Sequence, residues 1–301
     1  MPSNPAALRV DLGHTSLPGQ RPRNEDYCAA ATPEGAELEN KGILVAVADG
    51  VGGHANGREA SEYCVRSLLA DYYATPDTWS IPQALDKVIL ALNRWLFSHS
   101  RRARETAGMA TTLSALVLRG RRYVIAHVGD TRIYRLRSGE LTQLTSDHVW
   151  EHPELKNVLS RAVGLDAGLA VDYADGELAA QDVFLLASDG VWGTLGDARL
   201  AKLLAANDNA DLISARIANA ASDAGAQDNC TALVVRVLEL PPDGLRDTLA
   251  RIGALPLPPR LKPGEVLDDL EVTEVLHESR VTLLYRVRAV ASGQDFVLKT
   301  L

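Results

Sequence analysis

The sequence predicts an α+β protein, a four-layer α-β-β-α sandwich in which helix pairs flank two mostly antiparallel sheets. Three observations carry that prediction. Strand-like and helix-like segments come in blocks (strands, two helices, strands, two helices, strand) rather than in regular β-α-β alternation, which sets the chain apart from a doubly wound parallel sheet. Two unbroken apolar runs, Ile43-Leu44-Val45-Ala46-Val47-Ala48 and Val183-Phe184-Leu185-Leu186-Ala187, have the length of strands buried on both faces, although periodicity alone leaves a piece of buried helix open. The 301 residues, 46% of them hydrophobic, supply core enough for one large domain or two modest ones.

Taken in order, residues 8–15 read as a first strand and residues 18–23 as a turn-rich loop that runs into Asn24-Glu25-Asp26. Residues 27–32 form a second strand and 42–49 a third. Over 57–73, Ala60, Cys64, Leu68 and Tyr72 recur at helical spacing, with Val65 and Leu69 beside them. Ser80 is placed to cap a second helix with Pro82 in its first turn, and its apolar stripe is Ile81, Leu85, Val88, Leu92 and Trp95. Two amphipathic helices in succession cover one face of a sheet. A β-rich block follows at 110–118, 122–128, 133–136 and 140–144; residues 147–164 are irregular, with a short helix expected over 155–162. The second buried strand, 184–188, leads to Ala/Leu-rich helices over 197–206 and 210–224, and 230–238 is the closing strand.

After Glu239 the composition changes. Pro241-Pro242, Pro256, Pro258-Pro259 and Pro263 mark a semi-rigid linker, and residues 266–301 resume β-like alternation. The expected organisation is therefore a domain over 1–240, a linker over 241–265 and a fragment over 266–301. A ribbon of two or three strands is marginal alone. The expectation is that Val272, Leu276, Leu283, Tyr285, Val287, Phe296 and Leu298 gain cover by docking back on the larger domain.

A formal net charge of −8 argues against nucleic acid as a partner, since phosphate backbones call for a basic footprint. The three cysteines, Cys28, Cys64 and Cys230, form no C-x-x-C pair and suit a reducing compartment. Residues 1–9 lack a signal-peptide core, and no apolar run approaches the ~20 residues of a membrane helix. A cytoplasmic protein without a membrane partner is expected.

Both buried runs end in Asp-Gly, at Asp49-Gly50 and Asp189-Gly190. Asp-Gly is a common hairpin turn, and for Asp49 alone that reading stays open. Neither pair is followed at once by a second alternating strand, however, and each leads towards helix-forming sequence. A carboxylate at the end of a buried strand loses hydration and needs a cationic partner. Gly50, Gly52 and Gly53 would let the backbone take positive φ and approach a ligand, so that a main-chain carbonyl could join the Asp49 carboxylate on an ion. Glu25, Asp26, Asp49, Asp189 and Asp228 all stand at loop or strand ends, and an all-oxygen set selects hard ions such as Mg²⁺ or Mn²⁺ over zinc.

The order of these residues resembles the bacterial branch of the metal-dependent type 2C serine/threonine protein phosphatases. The matching residues are Arg21-Pro22-Arg23-Asn24-Glu25-Asp26, Val47-Ala48-Asp49-Gly50-Val51-Gly52-Gly53-His54, Gly108-Met109-Ala110-Thr111-Thr112, Val128-Gly129-Asp130-Thr131-Arg132, Leu159-Ser160-Arg161-Ala162-Val163-Gly164, Ala187-Ser188-Asp189-Gly190-Val191-Trp192 and Asp228-Asn229. They cover about residues 8–239. The resemblance implies hydrolysis of phosphoserine and phosphothreonine in proteins by a water activated between two Mn²⁺ or Mg²⁺ ions, the two-metal arrangement being known at separations of about 3.5–4 Å. It implies that Asp49 bridges the ions, that Gly50 offers its carbonyl to one, and that Asp189 and Asp228 complete the other. Glu25 and Asp26 would hold metal-bound waters, Arg21 would bind the substrate phosphate in a bidentate fork, and Asn229 would support the site. Asp130 and Asp189 match positions linked to a third, weaker ion.

His54 has the ordinary pKa of a leaving-group acid, but a packing or supporting role competes with that. His148 and His152, spaced i, i+4, could be read as a zinc pair, but the segment contains Pro153. There are two departures from the family pattern. Residues 146–159 are shorter than the flap usual in bacterial members. Residues 270–301 resemble the start of a protein kinase N-lobe, with Val297-Leu298-Lys299 like the nucleotide-contacting strand, yet Leu276-His277-Glu278-Ser279-Arg280 falls where a glycine-rich loop belongs and has no glycine. The resemblance therefore implies a piece of a phosphatase–kinase fusion, with the kinase part a possible partner. Two other readings compete: a non-catalytic phosphoprotein-binding module that keeps the fold, and a nucleotide-binding enzyme using the 50–57 loop. The full acid set counts against the first, and the absence of Lys-Ser/Thr after the glycines against the second.

Overall fold

The structure is a computed structural model, and it describes residues 7–51, 55–102, 106, 108–150, 158–242, 260–279 and 282–300. The chain forms two compact units, Met1–Gly244 and Leu245–Leu301. In the first, β1 (Arg9–Leu17), β11 (Cys230–Glu239), β10 (Val183–Ala187), β7 (Arg132–Arg137) and β8 (Glu140–Gln143) form one sheet in that spatial order. The second sheet runs β2 (Asp26–Ala31), β3 (Ile43–Val51), β5 (Leu113–Arg119), β6 (Arg122–Val128) and β9 (Asp172–Glu177), with the two-residue β4 (Ala110–Thr111) on the end of β3. All of these pairings are antiparallel.

The layering follows from the two-residue period of side chains along a strand. On β3, Leu44, Ala46 and Ala48 face a core shared with helices α2 (Ala55–Ala74) and α3 (Ile81–Ser100), while Ile43, Val45 and Val47 face a core between the sheets. On β10, Val183, Leu185 and Ala187 face helices α4 (Asp189–Leu204) and α5 (Ala210–Asp223), while Phe184 and Leu186 enter the inter-sheet layer. The four-layer α-β-β-α sandwich is thus the fold, and the two apolar runs are strands buried on both faces.

Ser80 caps α3 by accepting the Gln83 N–H at 3.3 Å, with Pro82 in the first turn. Trp95 does not complete the buried stripe: it is 40% exposed and stacks between Tyr63 and His99, at centroid distances of 3.9 and 4.7 Å. The helix expected over 197–206 starts eight residues earlier, at Asp189, and is broken at Gly196, whose φ of 68° only glycine adopts easily. The expected start at Asp197 therefore marks the kink rather than the N-terminus. No helix forms over the described part of 155–162; Leu159 instead bridges Val149. Helix α1 (Gly35–Asn40) and the exposed edge strand β9 carried no apolar pattern by which to expect them.

The second unit is a four-stranded antiparallel sheet, β12 (Val266–Leu267), β13 (Leu270–Glu278), β14 (Leu283–Ala289) and β15 (Asp295–Thr300). It has a small core of its own, formed by Leu261, Val272, Leu283, Tyr285 and Val287. Of the residues expected to gain cover by docking on the larger domain, Val272, Tyr285 and Val287 are buried within this sheet and its flanking segment, while Leu276 and Phe296 are exposed. Among the described residues, no helix is long and apolar enough to cross a membrane.

Candidate active site

The inter-sheet layer changes character at one end. Continuing the in-facing phase of each strand beyond its last apolar residue gives Asp49 after Val45 and Val47 on β3, Asp26 before Cys28 and Ala30 on β2, Ser188 after Phe184 and Leu186, and Thr231 before Leu233 on β11. The apolar layer thus passes into a polar one, and a cavity of about 660 Å³ opens there. Arg21, Arg23, Glu25, Asp49, Gly50, Asp130, Asp189, Asp228 and Asn229 line it on the polar side; Val51, Val158, Leu159, Ala162 and Leu165 form the apolar wall.

Each acid is delivered by a different element. Asp49 lies opposite Asp26 in the β2–β3 ladder. Its main chain is locked on both sides: its N–H donates to Thr112 Oγ1 (2.8 Å), and its carbonyl accepts the Thr112 N–H (2.9 Å) and the Thr111 hydroxyl (2.9 Å). Asp189 is the first residue of α4, where the helix dipole favours an anion. Asp130 sits in the turn between β6 and β7, and Asp228 immediately precedes β11. Asp26 is 1% exposed and lies behind the cavity, accepting the Ser188 hydroxyl across the sheets at 2.7 Å.

Asn229 ties the loop before β2 to the β11 sheet. Its Oδ1 accepts the Glu25 N–H (2.7 Å), and its Nδ2 donates to the carbonyls of Pro18 and Arg23, both at 2.9 Å. Arg21 reaches the cavity rim but is not free there: its Nη2 donates to Asp228 Oδ2 at 2.6 Å. Gly50 is required for closeness rather than for positive φ. It continues the strand, and a Cβ on it would overlap the Gly57 backbone. His54, Gly52, Gly53 and His152 lie outside the described residues. His148 is buried, with Nδ1 accepting the Gly129 N–H and Nε2 3.0 Å from Asp172 Oδ2, so the expected alternative of a zinc ligand has no free ring nitrogen to use.

The electrostatics are those of crowded anions. Burial, then the charge of Asp26 and of three further aspartates, pushes the Asp49 carboxyl well above its ordinary value. Burial and Asp189 raise Asp130 to about 7, and burial and Asp228 raise Asp189 to about 6. Burial also raises Asp26 to about 7, against the hydrogen bonds from Thr231 and Ser188. Asp189 Oδ1 and Asp26 Oδ1 are buried without a hydrogen-bond partner. Buried, mutually repelling carboxylates with unmatched oxygens suit a hard divalent cation, which reverses the sign of every one of these interactions. Among the described residues no three such side chains form a preassembled ligand cluster, so the fit rests on the shared cavity and its charge rather than on ready-made coordination.

The family profile described as protein phosphatase 2C matches residues 19–233, a stretch that contains all of these acids. The chain belongs to the protein phosphatase 2C family. The serine/threonine phosphatase stp of Listeria monocytogenes is 32% identical over 255 residues, covering 76% of this chain and 94% of the relative. A serine/threonine phosphatase structure from S. agalactiae superposes with a TM-score of 0.69 at 27% identity, covering 77% of this chain and all of that one. The PstP/Ppp serine/threonine phosphatase of Mycobacterium tuberculosis gives 0.66 at 28% identity, with 76% and 99% covered. The chain is therefore a serine/threonine phosphatase of the 2C type. Of this phosphatase's described site residues, the motif order picked out Asp49, Asp130, Asp189 and Asp228, which the cavity brings together. The supports it left without a role are Thr111, Thr112 and Ser188; for Ser188 the signal was strand phase, which carries it and Thr231 to the same end of the layer.

Proposed function

We propose that this phosphatase hydrolyses phosphoserine and phosphothreonine in proteins, with Mn²⁺ or Mg²⁺ held by Asp49, the Gly50 carbonyl, Asp189 and Asp228, and a weaker ion at Asp130 and Asp189. The observation that carries this reading is the convergence of four buried or half-buried aspartates on one cavity, with the carboxyls of Asp49, Asp130 and Asp189 raised by burial and by neighbouring carboxylates. Divalent ions bound there would make a water nucleophilic near neutral pH and offset charge on the phosphoryl oxygens. The protein's own contribution is placement. Glu25 on the cavity wall would orient solvent, with Asp26 buried behind it adding negative charge to the same end of the layer. The fork of Arg21 has five donors, of which the bond to Asp228 uses one, so the others are free to turn to a phosphoryl oxygen while that bond fixes the group. The apolar wall of Val158, Leu159 and Leu165 suits the side chains that flank a phosphoresidue.

The unit 245–301 we read as the beginning of a kinase N-lobe, on its antiparallel strand order and on Lys299 in β15, which makes a kinase part of the same protein a candidate substrate. The three free cysteines support action in the cytoplasm. The test is hydrolysis of p-nitrophenyl phosphate and of phosphopeptides with Mn²⁺, with Mg²⁺ and with EDTA. Activity is expected with either metal, is expected to survive okadaic-acid-type inhibitors, and is expected to vanish on chelation; full activity in excess EDTA overturns the reading.

A further inference from the structure

Two residues of the matching motifs have no role in the reading above: Arg132, two residues after Asp130, and Trp192, three after Asp189. The fold puts them in contact. The Trp192 indole N–H donates to the main-chain carbonyl of Asp130 at 3.0 Å, so a side chain from the first turn of α4 holds the β6–β7 turn. The Arg132 guanidinium lies over the same indole, its Cζ 3.4 Å from the ring centroid. Arg132 is itself held: Nε and Nη2 donate to the two Asp147 oxygens at 2.9 and 2.7 Å, and Nη1 donates to the Tyr134 hydroxyl at 2.9 Å. A planar, forked and stacked guanidinium of this kind has little freedom, and lysine would not reproduce it.

The two elements joined by Trp192 are the two that carry Asp130 and Asp189. Those carboxyls repel each other, and they lie just beyond the last pair of the β7–β10 ladder, Arg132 opposite Ala187, where strand pairing no longer holds the β6–β7 turn to the start of α4. A hydrogen bond from one element to the backbone of the other, stiffened by a stacked cation, fixes how far apart the two carboxylates stand. We propose that Trp192, braced by Arg132 and Asp147, is a positioning residue that presets the Asp130–Asp189 pair for the weaker divalent ion. This rests on the metal-dependent reading above. Neither side chain lines the cavity. Their effect is on the affinity of one ion, in the way that supports behind a ligand set its geometry.

The experiment is calorimetric titration of the full chain with Mn²⁺, comparing wild type with Trp192→Phe, Arg132→Lys, Asp130→Asn and the double variant Trp192→Phe/Asp130→Asn. Phe keeps the ring and loses the N–H; Lys keeps the charge and loses the fork. Each single variant should weaken the weaker binding event by about 10–100-fold and leave the tighter event unchanged, the scale seen when a ligand's support is removed. The double variant should bind no worse than Asp130→Asn alone, because Trp192 acts only through Asp130. Thermal melting of each variant in EDTA checks that the fold is intact. Unchanged weak-event affinity in both Trp192→Phe and Arg132→Lys overturns the inference, and so does an additive loss in the double variant. Wild-type protein that binds no Mn²⁺ would remove the metal-dependent reading, and this one with it; wild-type binding with unaffected variants removes this one alone.

Discussion

The two Asp-Gly junctions share a sequence signature and solve the same problem differently. After Asp49 the chain stays extended: Gly50 and Val51 pair with Thr111 and Ala110 of β4, and α2 begins only at Ala55. After β10 the strand stops at Ala187, Ser188 takes the extended cap position, and Asp189 opens α4 at once. In the first copy the aspartate itself is in phase with the in-facing residues Val45 and Val47. In the second, Ser188 holds that phase, and the turn into the helix brings Asp189 round to the same cavity. Both glycines are needed because another backbone presses against them, that of Gly57 on Gly50 and that of Asn229 on Gly190. What the signature conserves is therefore not a local conformation but a delivery point, the polar end of the inter-sheet layer.

The largest expected effect tests whether the two deliveries are equivalent in function. Asp49→Asn and Asp189→Asn should each abolish turnover of p-nitrophenyl phosphate at ordinary Mn²⁺ concentration. In EDTA, both should melt higher than wild type, because each removes a buried repelled charge, and Asp49→Asn should gain more because its carboxyl is the more strongly raised. Near-normal turnover in either variant would break the equivalence.

A smaller effect separates the supports. Thr112→Val leaves the Asp49 N–H without its acceptor, and Ser188→Ala removes the hydroxyl that Asp26 accepts. Each should cost about 1–3 kcal/mol of stability in urea unfolding, the penalty for a buried polar group left unsatisfied. If the strand-fixed aspartate is the more rigidly held, Thr112→Val should also lower kcat more than Ser188→Ala does.

The smallest expected effect is on pH. The carboxyls of Asp26, Asp130 and Asp189 have folded values of about 7, 7 and 6 against an ordinary 3.8. Between about pH 4 and 7 the folded, metal-free protein binds more protons than the unfolded chain, so this contribution to stability is full below the ordinary carboxylate value and is lost as pH rises through 6 to 7. The melting temperature in EDTA should therefore fall by several degrees from pH 5.5 to 7.5, and saturating Mn²⁺ should abolish or reverse the slope. A melting temperature in EDTA that rises over this interval would contradict the crowded-anion description.

Much of this was legible in the residues. The unbroken run from Ile43 to Ala48 reads as a strand buried on both faces, and such a strand calls for a layer on each side of its sheet. Asp49, Asp189 and Asp228 were visible as charges in places where charge is costly. Elements set by pairing rather than by pattern were not legible: β9 is polar and exists because β6 offers it an edge, and α1 buries none of its residues. Nor was Trp95 legible as a surface stack, since its spacing fits the buried stripe and only Tyr63 and His99 decide otherwise. The bond from Arg21 to Asp228 joins residues 207 apart, and no local pattern reports such a contact.

The clamp made by Asn229 has a consequence for when the enzyme can work during its synthesis. Asp26 and Asp49 leave the ribosome early, yet the loop before Asp26 is held by a side chain from the far end of the same unit, and among the described residues β1 pairs in its sheet with β11 alone. A nascent chain that has not yet released residues 228–239 lacks Asp228, the Asn229 bonds and the strand that closes the first sheet. Its N-terminal acids then stand without the cavity wall that Asp228 and Asn229 form. Pairings of such sequence separation also form slowly. If Asp228 belongs to the working site as proposed, dephosphorylation is expected only once translation has passed β11, and a copy truncated before it is expected to be silent rather than an unregulated hydrolase.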